Sequence, residues 1–530
     1  MKKLIYSLPF VITVFLIIYN CTTEEENTTS STVQQSTPGL EPESTQFNLT
    51  VTSGEGGSVS TEGGTYDEGT EVSVTATPAE GYEFDRWIGI DSETSTLNLT
   101  LNENKEIMAY FIKYSPFSIE LESIDIPGLV GVQSYAFGQY ENKWLVIGGR
   151  LDGLHQRQPS ISFSPSGNNR NFIVIDPISK QVWSKSFDEL NIKLQDQLSS
   201  TNMEFYQEED NLILIGGYGY SESIGNHTTF PYLTVIDIPK TIEAVISKAK
   251  VEDYIQQLED QMFQVTGGKL KKMGAEYYLL GGQKFIGRYN PMGPQNGQGF
   301  TQEYTNAIRK FKLEENQGVF NFSKGEFIVD AELFHRRDYN AEAQILPNGN
   351  QAITMFSGVF KKTENLPFLN AVSITDSGYD QESNFSQYFN HYHCAVIPLY
   401  SESKNEMNTL FFGGIAQFYE EGGKIIQDNN VPFVKTITRV CRDAEGRMSE
   451  VRLKTKMEDF LGSGSEFIPN ENLKKYSNGV LDFDAFETAT TDLGYIFGGI
   501  QSSDKNIFFI NTGSESIASS RIYKVLLHKK

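Results

Sequence analysis

Four groups of residues in this chain have the types and spacing for chemistry. The run "HYHC", His391 to Cys394, sets two imidazoles and a thiol close together, and residues two apart on a strand share a face. That is a metal-site pattern, although a histidine that only packs at the start of a strand gives the same letters. Asp482 and Asp484 in "LDFDAFE" offer paired carboxylates for calcium, but the full oxygen cage calcium needs is missing nearby, so solvated polar positions are expected. Arg336, Arg337 and Asp338 form a charged cluster ahead of an apolar run. Long polar segments also carry Arg150, His155, Arg157, Tyr218, Tyr220, Arg288, Tyr289 and Tyr304. Arginine and tyrosine are enriched at recognition hot spots, and aromatic faces stack on cations and sugars. No phosphate-binding loop, zinc motif or nucleophile elbow is present.

What could position these groups is visible in a recurring phrase. "WLVIGG" ends at Gly149, and "LILIGG", "YYLLGG", "ITMFSG", "TLFFGG" and "YIFGG" follow, with Ser357 in place of the first glycine of the fourth. Each phrase is preceded by a second strand-like run across a short turn, as in "AEAQILPNGNQAITMFSG". Each is followed, after a variable loop, by another, as in "NFIVID" or "YLTVID". Blade-like units of four antiparallel strands are the expectation, with "QVWSKSF" as the fourth strand of the first unit. Glycine suits the end of the second strand because neighbouring units approach there and the backbone turns through positive φ.

The glycine pairs after apolar strands, with Arg or His at unit entries and Trp183 near the end of the first unit, resemble the kelch repeat. The units are more widely spaced than the roughly 50 residues of a bare kelch repeat, so the excess belongs in loops. The resemblance implies an all-β chain with a six-bladed kelch-like β-propeller over residues 117–530. The sixth unit, read with an inner strand around Leu481 to Thr488, lacks a fourth strand. "FSIELESI", Phe117 to Ile124, is unpartnered and is expected to fill that place beside Arg521 to Leu527, leaving no open seam. The tract from Lys240 to Phe263 has helical spacing and is expected to be a helix between the second and third units.

Before the repeats, residues 47–113 alternate apolar and polar residues in short runs: "FNLTV", "EVSVTATP", "LNLTL", "EIMAYF". With Gly69, Pro78, Gly81, Tyr82, Phe84, Trp87 and Phe111, this small β module resembles the internalin-type bacterial repeat, which implies a spacer or adhesion accessory. Trp87 is expected to plug the module's core. Residues 1–21 have a lysine start, an apolar run and Cys21, and resemble a lipoprotein signal peptide in which Cys21 is lipidated; an uncleaved anchor is the alternative. Residues 22–46 are polar and are expected to form a flexible, disordered tether. The acidic residues just after Cys21 resemble the surface-export signal of Bacteroidetes lipoproteins.

Composition narrows the partners. The net charge of −24 repels a phosphate backbone, so nucleic acid is excluded as a partner. Three cysteines cannot make a disulfide framework, and Cys394 and Cys441 are expected to be free buried thiols. The loops between second and third strands are long and the first hairpins short, so the long-loop face is the candidate binding face. It gathers the loop residues above with Arg336, Arg337, His391 and Tyr392 from unit entries. For Arg337, ligand contact and a packing role between units both stay open.

The expected function is a lipid-anchored binding protein of the outer membrane and cell surface, recognising a protein or glycan, without cofactor, metal or catalytic residue. The alternative implied by kelch resemblance is an enzyme at the same face, related to copper radical oxidases or sugar-acid epimerases.

Overall fold

A computed structural model of the chain describes residues 44–156, 162–289 and 299–530. Cys21, the expected signal peptide and nearly all of the expected tether lie outside the described residues, as does Arg157. The described chain is all-β, in two parts.

The N-terminal part pairs Gln46–Ser53, Gly63–Asp67, Tyr82–Ile88 and Lys105–Lys113 in one sheet, and Gly57–Val59, Thr70–Pro78 and Thr96–Leu101 in another. Alternation along each strand turns Leu49, Val51, Val74, Leu99, Ile107 and Phe111 into a shared core. Trp87 is buried in that core against Phe84, and its indole N–H donates to Thr94 O at 3.0 Å, as the sequence led us to expect.

The remainder folds into six main sheets built on four antiparallel strands each, which follow one another in chain order in the first five. The first contains Ala136–Tyr140, Lys143–Ile147, Asn171–Asp176 and Gln181–Ser186, and the second Glu204–Glu208, Asn211–Ile215, Tyr232–Asp237 and Ile255–Glu259. The third runs through Lys269–Met273, Glu276–Leu280, Ala307–Asn316 and Val319–Val329, and the fourth through Asn340–Ile345, Gln351–Phe356, Ala371–Thr375 and Gly378–Gln381. The fifth has Ala395–Ser401, Glu406–Phe412, Thr436–Arg442 and Met448–Lys456. The sixth has Phe460–Pro469, Thr490–Ser502, Ile522–Lys529 and, last, Phe117–Ile124. Phe117–Ile124 pairs antiparallel with the C-terminal strand along its whole length, Phe117 opposite Lys529 and Ile124 opposite Ile522, as expected.

Each sheet buries its apolar faces against the next. Leu145 and Val174 of the first meet Leu212 and Leu214 of the second, and the succession continues through the third, fourth, fifth and sixth sheets. It then returns, because Phe497 and Ile522 of the sixth pack on Trp144 and Ile173 of the first.

Two circuits of backbone hydrogen bonds accompany this packing. In the first, a residue two positions before the inner strand, or within it in the sixth sheet, donates to its equivalent in the preceding sheet. Asn202 N bonds Ser134 O, Gly267 N bonds Asn202 O, Asp338 N bonds Gly267 O, and His393 N bonds Asp338 O. Gly464 N bonds His393 O, and Ser134 N bonds Gly464 O at 2.8 Å, which brings the circuit back to its start. In the second, the last residue of each glycine pair donates forward to the next sheet: Gly149 to Ser200, Gly217 to Val265, Gly282 to Arg336, Gly358 to His391, Gly414 to Leu461 and Gly499 to Val132. The pairs take positive φ throughout, Ser357 included at 51°. At Gly216 (φ +64) a Cβ would lie 1.9 Å from Val265 O, so both conformation and proximity demand glycine there.

Two expectations need correction. The tract from Lys240 to Phe263 is not one helix: the helix runs Ile238–Ser247, ends where Lys248 turns left-handed, and Ile255–Glu259 becomes the fourth strand of the second sheet. The apolar spacing is real, but it packs Ile238, Ile242 and Val245 against the first sheet within a shorter helix. Leu481 to Thr488 is not the inner strand of the sixth sheet. Phe460–Pro469 is, and Leu481–Asp482 instead pairs parallel with Leu399–Tyr400 of the fifth sheet. The residues from Asn470 to Ala489 are therefore a long first-hairpin connection. The N-terminal module also contacts the six-sheet part. Arg86 donates two 2.7 Å bonds to Glu420, Arg452 pairs with Asp85 at 2.5 Å and Lys530 with Glu83 at 2.5 Å, all joining it to the six-sheet part.

The glycine argument is testable by comparing two alanine substitutions. Gly225 also has positive φ (+72) but open space around it, so Gly225→Ala should cost about 1 kcal/mol of left-handed strain. Gly216→Ala adds a backbone clash at the seam between the second and third sheets. Urea unfolding should show a clearly larger loss for Gly216→Ala; equal losses would refute the seam role.

Candidate functional site

The long loops are more ordered than a reading of them as loops implies. Tyr218–Ser221, Asn226–Thr229, Gln283–Gly287 and Phe300–Tyr304 form a further four-stranded sheet built from the loops of the second and third sheets. The loop of the fifth adds a hairpin, Phe418–Glu421 with Lys424–Gln427. The further sheet walls a narrow depression of about 120 Å³, which is also lined by residues of the first hydrogen-bond circuit.

Every main sheet contributes its entry residues to this depression: Gln133 and Ser134, Thr201 and Asn202, Thr266, Arg337 and Asp338, Tyr392 and His393, Ser463 and Gly464. From the loops come Arg150, His155, Phe163, Tyr218, Gln283 and Tyr289. Six of the residues expected at this face therefore meet here: Arg150, His155, Tyr218, Tyr289, Arg337 and Tyr392.

Their states differ. Arg337 pairs with Asp338, and its Nε donates to the Tyr304 hydroxyl at 3.3 Å; the Tyr392 hydroxyl donates to Asp338 Oδ2 at 3.1 Å. Burial opposes the Arg337 charge, but Asp338, Tyr392 and Tyr304 outweigh it and hold its pKa above the usual arginine range. Burial, reinforced by Asp338, pushes the Tyr392 phenol up, so it stays protonated and donates. Tyr304 stands behind Arg337, stacked on His335 at 3.9 Å. Arg150 is committed to its surroundings: its Nε donates to Asp152 at 2.7 Å, Nη1 to Asn168 at 2.7 Å and Nη2 to Ser164 O at 3.2 Å. The aromatic wall is continuous, with His155 stacked on Phe163 and Phe163 edge-on to Tyr218. The Tyr218 hydroxyl donates to Gly287 O and accepts from Tyr289 N, both at 2.9 Å.

Four other expected residues stand apart from the depression. Arg336 is fully buried; its Nε donates to Leu333 O and Nη1 to Ser357 O at 2.7 Å each, and its guanidinium lies over Phe368. It holds the fourth glycine pair, and burial lowers its pKa to about 10. His391 is buried with Nε2 donating to Gln387 O at 2.8 Å and Nδ1 accepting from Gln417 N at 3.0 Å. Both ring nitrogens are taken and burial depresses its pKa to about 4, so it is a neutral structural imidazole. Arg288 donates to Ser162 O at 2.7 Å, and Tyr220 packs edge-on against His227.

The other apparent chemical motifs resolve in the same way. In "HYHC", His393 pairs with Glu466 at 2.6 Å and Cys394 accepts a contact from Asn340 Nδ2 at 3.6 Å. Asp482 caps a short helical turn and pairs with Lys474; Asp484 accepts from Ser401 and Ser403. Among the described residues no group of three or more His, Cys, Asp and Glu side chains is arranged to hold a metal ion. Cys394 and Cys441 are both free and buried.

Sequence reasoning missed Phe163, Gln283 and the entry residues of the first, second, third and sixth sheets. The common signal of the entry residues was position, at the start of each inner strand, rather than residue type. It also missed a second, larger cavity of about 510 Å³ at the opposite mouth, among the short hairpins. The Asn470–Ala489 connection walls it, and misplacing that segment as a strand concealed the cavity. Glu204 on this side is fully buried, with one oxygen accepting from Gly268 N at 2.6 Å.

Residues 47–115 match the family model of the divergent InlB B-repeat domain, in agreement with the internalin-type reading of the module. No curated protein matches the chain. A solved structure titled "Structure of YjhT" is similar over 75% of this chain and 95% of that chain, at 11% identity and a TM-score of 0.41.

Two measurements follow from the titratable groups. Burial raises the Cys394 and Cys441 thiols to about 12, so neither should be alkylated in the folded protein at pH 8, whereas both should be on unfolding, as mapped by mass spectrometry. Burial raises the Glu204 carboxyl from 4.5 to about 8. The folded state therefore keeps a proton that the unfolded chain releases, and this contribution is full below pH 4.5 and fades as pH rises through 8. Glu204→Gln should flatten the fall in stability between those limits, measured by urea unfolding across pH.

Proposed function

We propose that the six sheets are the blades of a six-bladed kelch-like β-propeller spanning residues 117–530, and that its long-loop face binds a protein or glycan. The support for the ring is the pair of hydrogen-bond circuits that return to their starting sheet, together with the antiparallel partnership of Phe117–Ile124 and the C-terminal strand. In this reading residues 47–113 are an internalin-type repeat module. Residues 22–46 are a tether, and residues 1–21 a signal peptide that leaves Cys21 lipidated, holding the protein to the outer membrane at the cell surface.

The observation that carries the binding reading is the depression to which every sheet contributes an entry residue, with Arg337, Asp338 and Tyr392 bonded to one another inside an aromatic wall. Its volume is below the roughly 300–1,000 Å³ of sites that enclose a whole small molecule. It suits one projecting group of a larger ligand, a sugar unit or a side chain, with the surrounding loops supplying the remaining contacts. Recognition surfaces concentrate their energy in such central, desolvated anchors.

The enzymatic alternative would use the same depression. Its copper-oxidase form lacks support from "HYHC", since His391 offers no unengaged nitrogen and His393 is tied to Glu466.

A glycan array and a surface-protein panel probed with the full chain should show a bound class whose signal falls at least about tenfold in Tyr392→Phe. Arg337→Met should also abolish it, at a stability cost of about 3–5 kcal/mol because Asp338 is left buried and unpaired. Undiminished binding by a folded Tyr392→Phe protein would overturn the assignment of the anchor.

A further inference from the structure

The larger cavity, at the mouth opposite the long loops, falls within the size range of small-molecule sites. Its walls carry four lysines in unequal circumstances. Lys271 donates to both Glu342 oxygens at 2.8 Å, and Lys272 pairs with Glu208. Lys269 and Lys475 line the same cavity, yet among the described residues neither ammonium lies within ion-pair distance of a carboxylate.

Most of the acids on the walls are otherwise engaged, and Glu209, which also lines the cavity, lies beyond ion-pair distance of both ammonium groups among the described residues. Glu466 feels Lys269 electrostatically but is bonded to His393 at 2.6 Å. Glu204 keeps its proton at neutral pH, so it adds no negative charge. Glu342 is held by Lys271, and Glu471 accepts from Asn142 N at 2.7 Å. Lys475 is half-buried, and that burial pulls its pKa below the usual lysine range, with Glu471 only partly opposing it. Within a chain of net charge −24, this is a concave surface with two cations lacking close counter-ions.

We propose that the short-hairpin mouth is a second binding site, for a small dianion whose oxygens are shared between the Lys269 and Lys475 ammonium groups. The ligand chemistry is a dicarboxylate or a phosphate. Lys269 comes from the inner strand of the third sheet, and Lys475 from the Asn470–Ala489 connection of the sixth. A bound dianion would therefore bridge two distant sheets across the cavity. It would also raise the pKa of Lys475, so binding should weaken as pH rises and that lysine loses its proton.

Isothermal titration of the full chain with succinate, with inorganic phosphate and with acetate tests this. One of the two dianions should bind with 1:1 stoichiometry at a Kd below about 1 mM, and acetate at least about tenfold more weakly. Lys269→Met and Lys475→Met, which keep most of the apolar stem, should each weaken it by about tenfold or more, whereas Lys424→Met on the exposed hairpin should not. Near-UV circular dichroism establishes that each variant is folded. No saturable binding of either dianion, acetate binding as tightly as the dianion, or unchanged affinity in both folded cavity variants would each overturn the proposal. The two dianion arms separate a carboxylate ligand from a phosphate one.

Discussion

Backbone hydrogen bonds between sheets, rather than within them, are the constraint on which the rest of this structure depends. A four-stranded sheet satisfies its own ladder but leaves its entry peptide and its exit after the second strand without partners, and buried peptide groups left unpaired are costly. Here both are satisfied by the neighbouring sheet, the entry through the circuit from Ser134 to Gly464 and the exit through the glycine pairs. Because each bond requires the next sheet at a set distance, the sheets specify one another's positions. Replacing a pair glycine by a residue with a Cβ disturbs two sheets at once.

The candidate recognition site is a by-product of this arrangement. Entry residues are held by their backbone bonds, so their side chains are pre-placed around one depression whatever their type. Arg337, Asp338 and Tyr392 exploit that placement with a buried charge pair and a phenol that stays protonated. Equivalent positions in the first three sheets hold the smaller or uncharged Ser134, Asn202 and Gly267. Asymmetry of residue type on a repeated backbone is how such a frame acquires a specific site.

The two mouths differ for a covalent reason. On one, the loops between second and third strands are long enough to pair into a sheet of their own and narrow the opening. On the other, the first hairpins are short except in the sixth sheet, where Asn470–Ala489 folds over the mouth and closes part of its edge against the fifth. The N-terminal module joins at the outer strand of the fifth sheet through Asp85 and Arg452, both buried, and through Arg86 and Glu420. It thereby also steadies the hairpin that carries Glu420.

The amino-acid sequence by itself determined the all-β class, the repeating units, the role of the glycine pairs, the core position of Trp87 and the strand that partners the C-terminus. Those features arise from local alternation, from the φ preferences of glycine, or from a single unpaired strand with a single vacancy, and each is written in nearby residues. It misjudged Ile255–Glu259 as helix, because a short apolar run fits either helix or strand until a partner edge selects one, and it put Leu481–Asp482 in the wrong sheet, because strand character alone does not name the partner. Tertiary structure alone decided which charged residues are available. Arg336 and Arg337 are adjacent in the chain, but one is consumed by carbonyls of its own sheet and the other lines the depression. The same holds for Lys271 and Lys269, two apart on one strand. Ion pairing depends on what stands across a cavity, and that distance is set by the packing of sheets far apart in sequence.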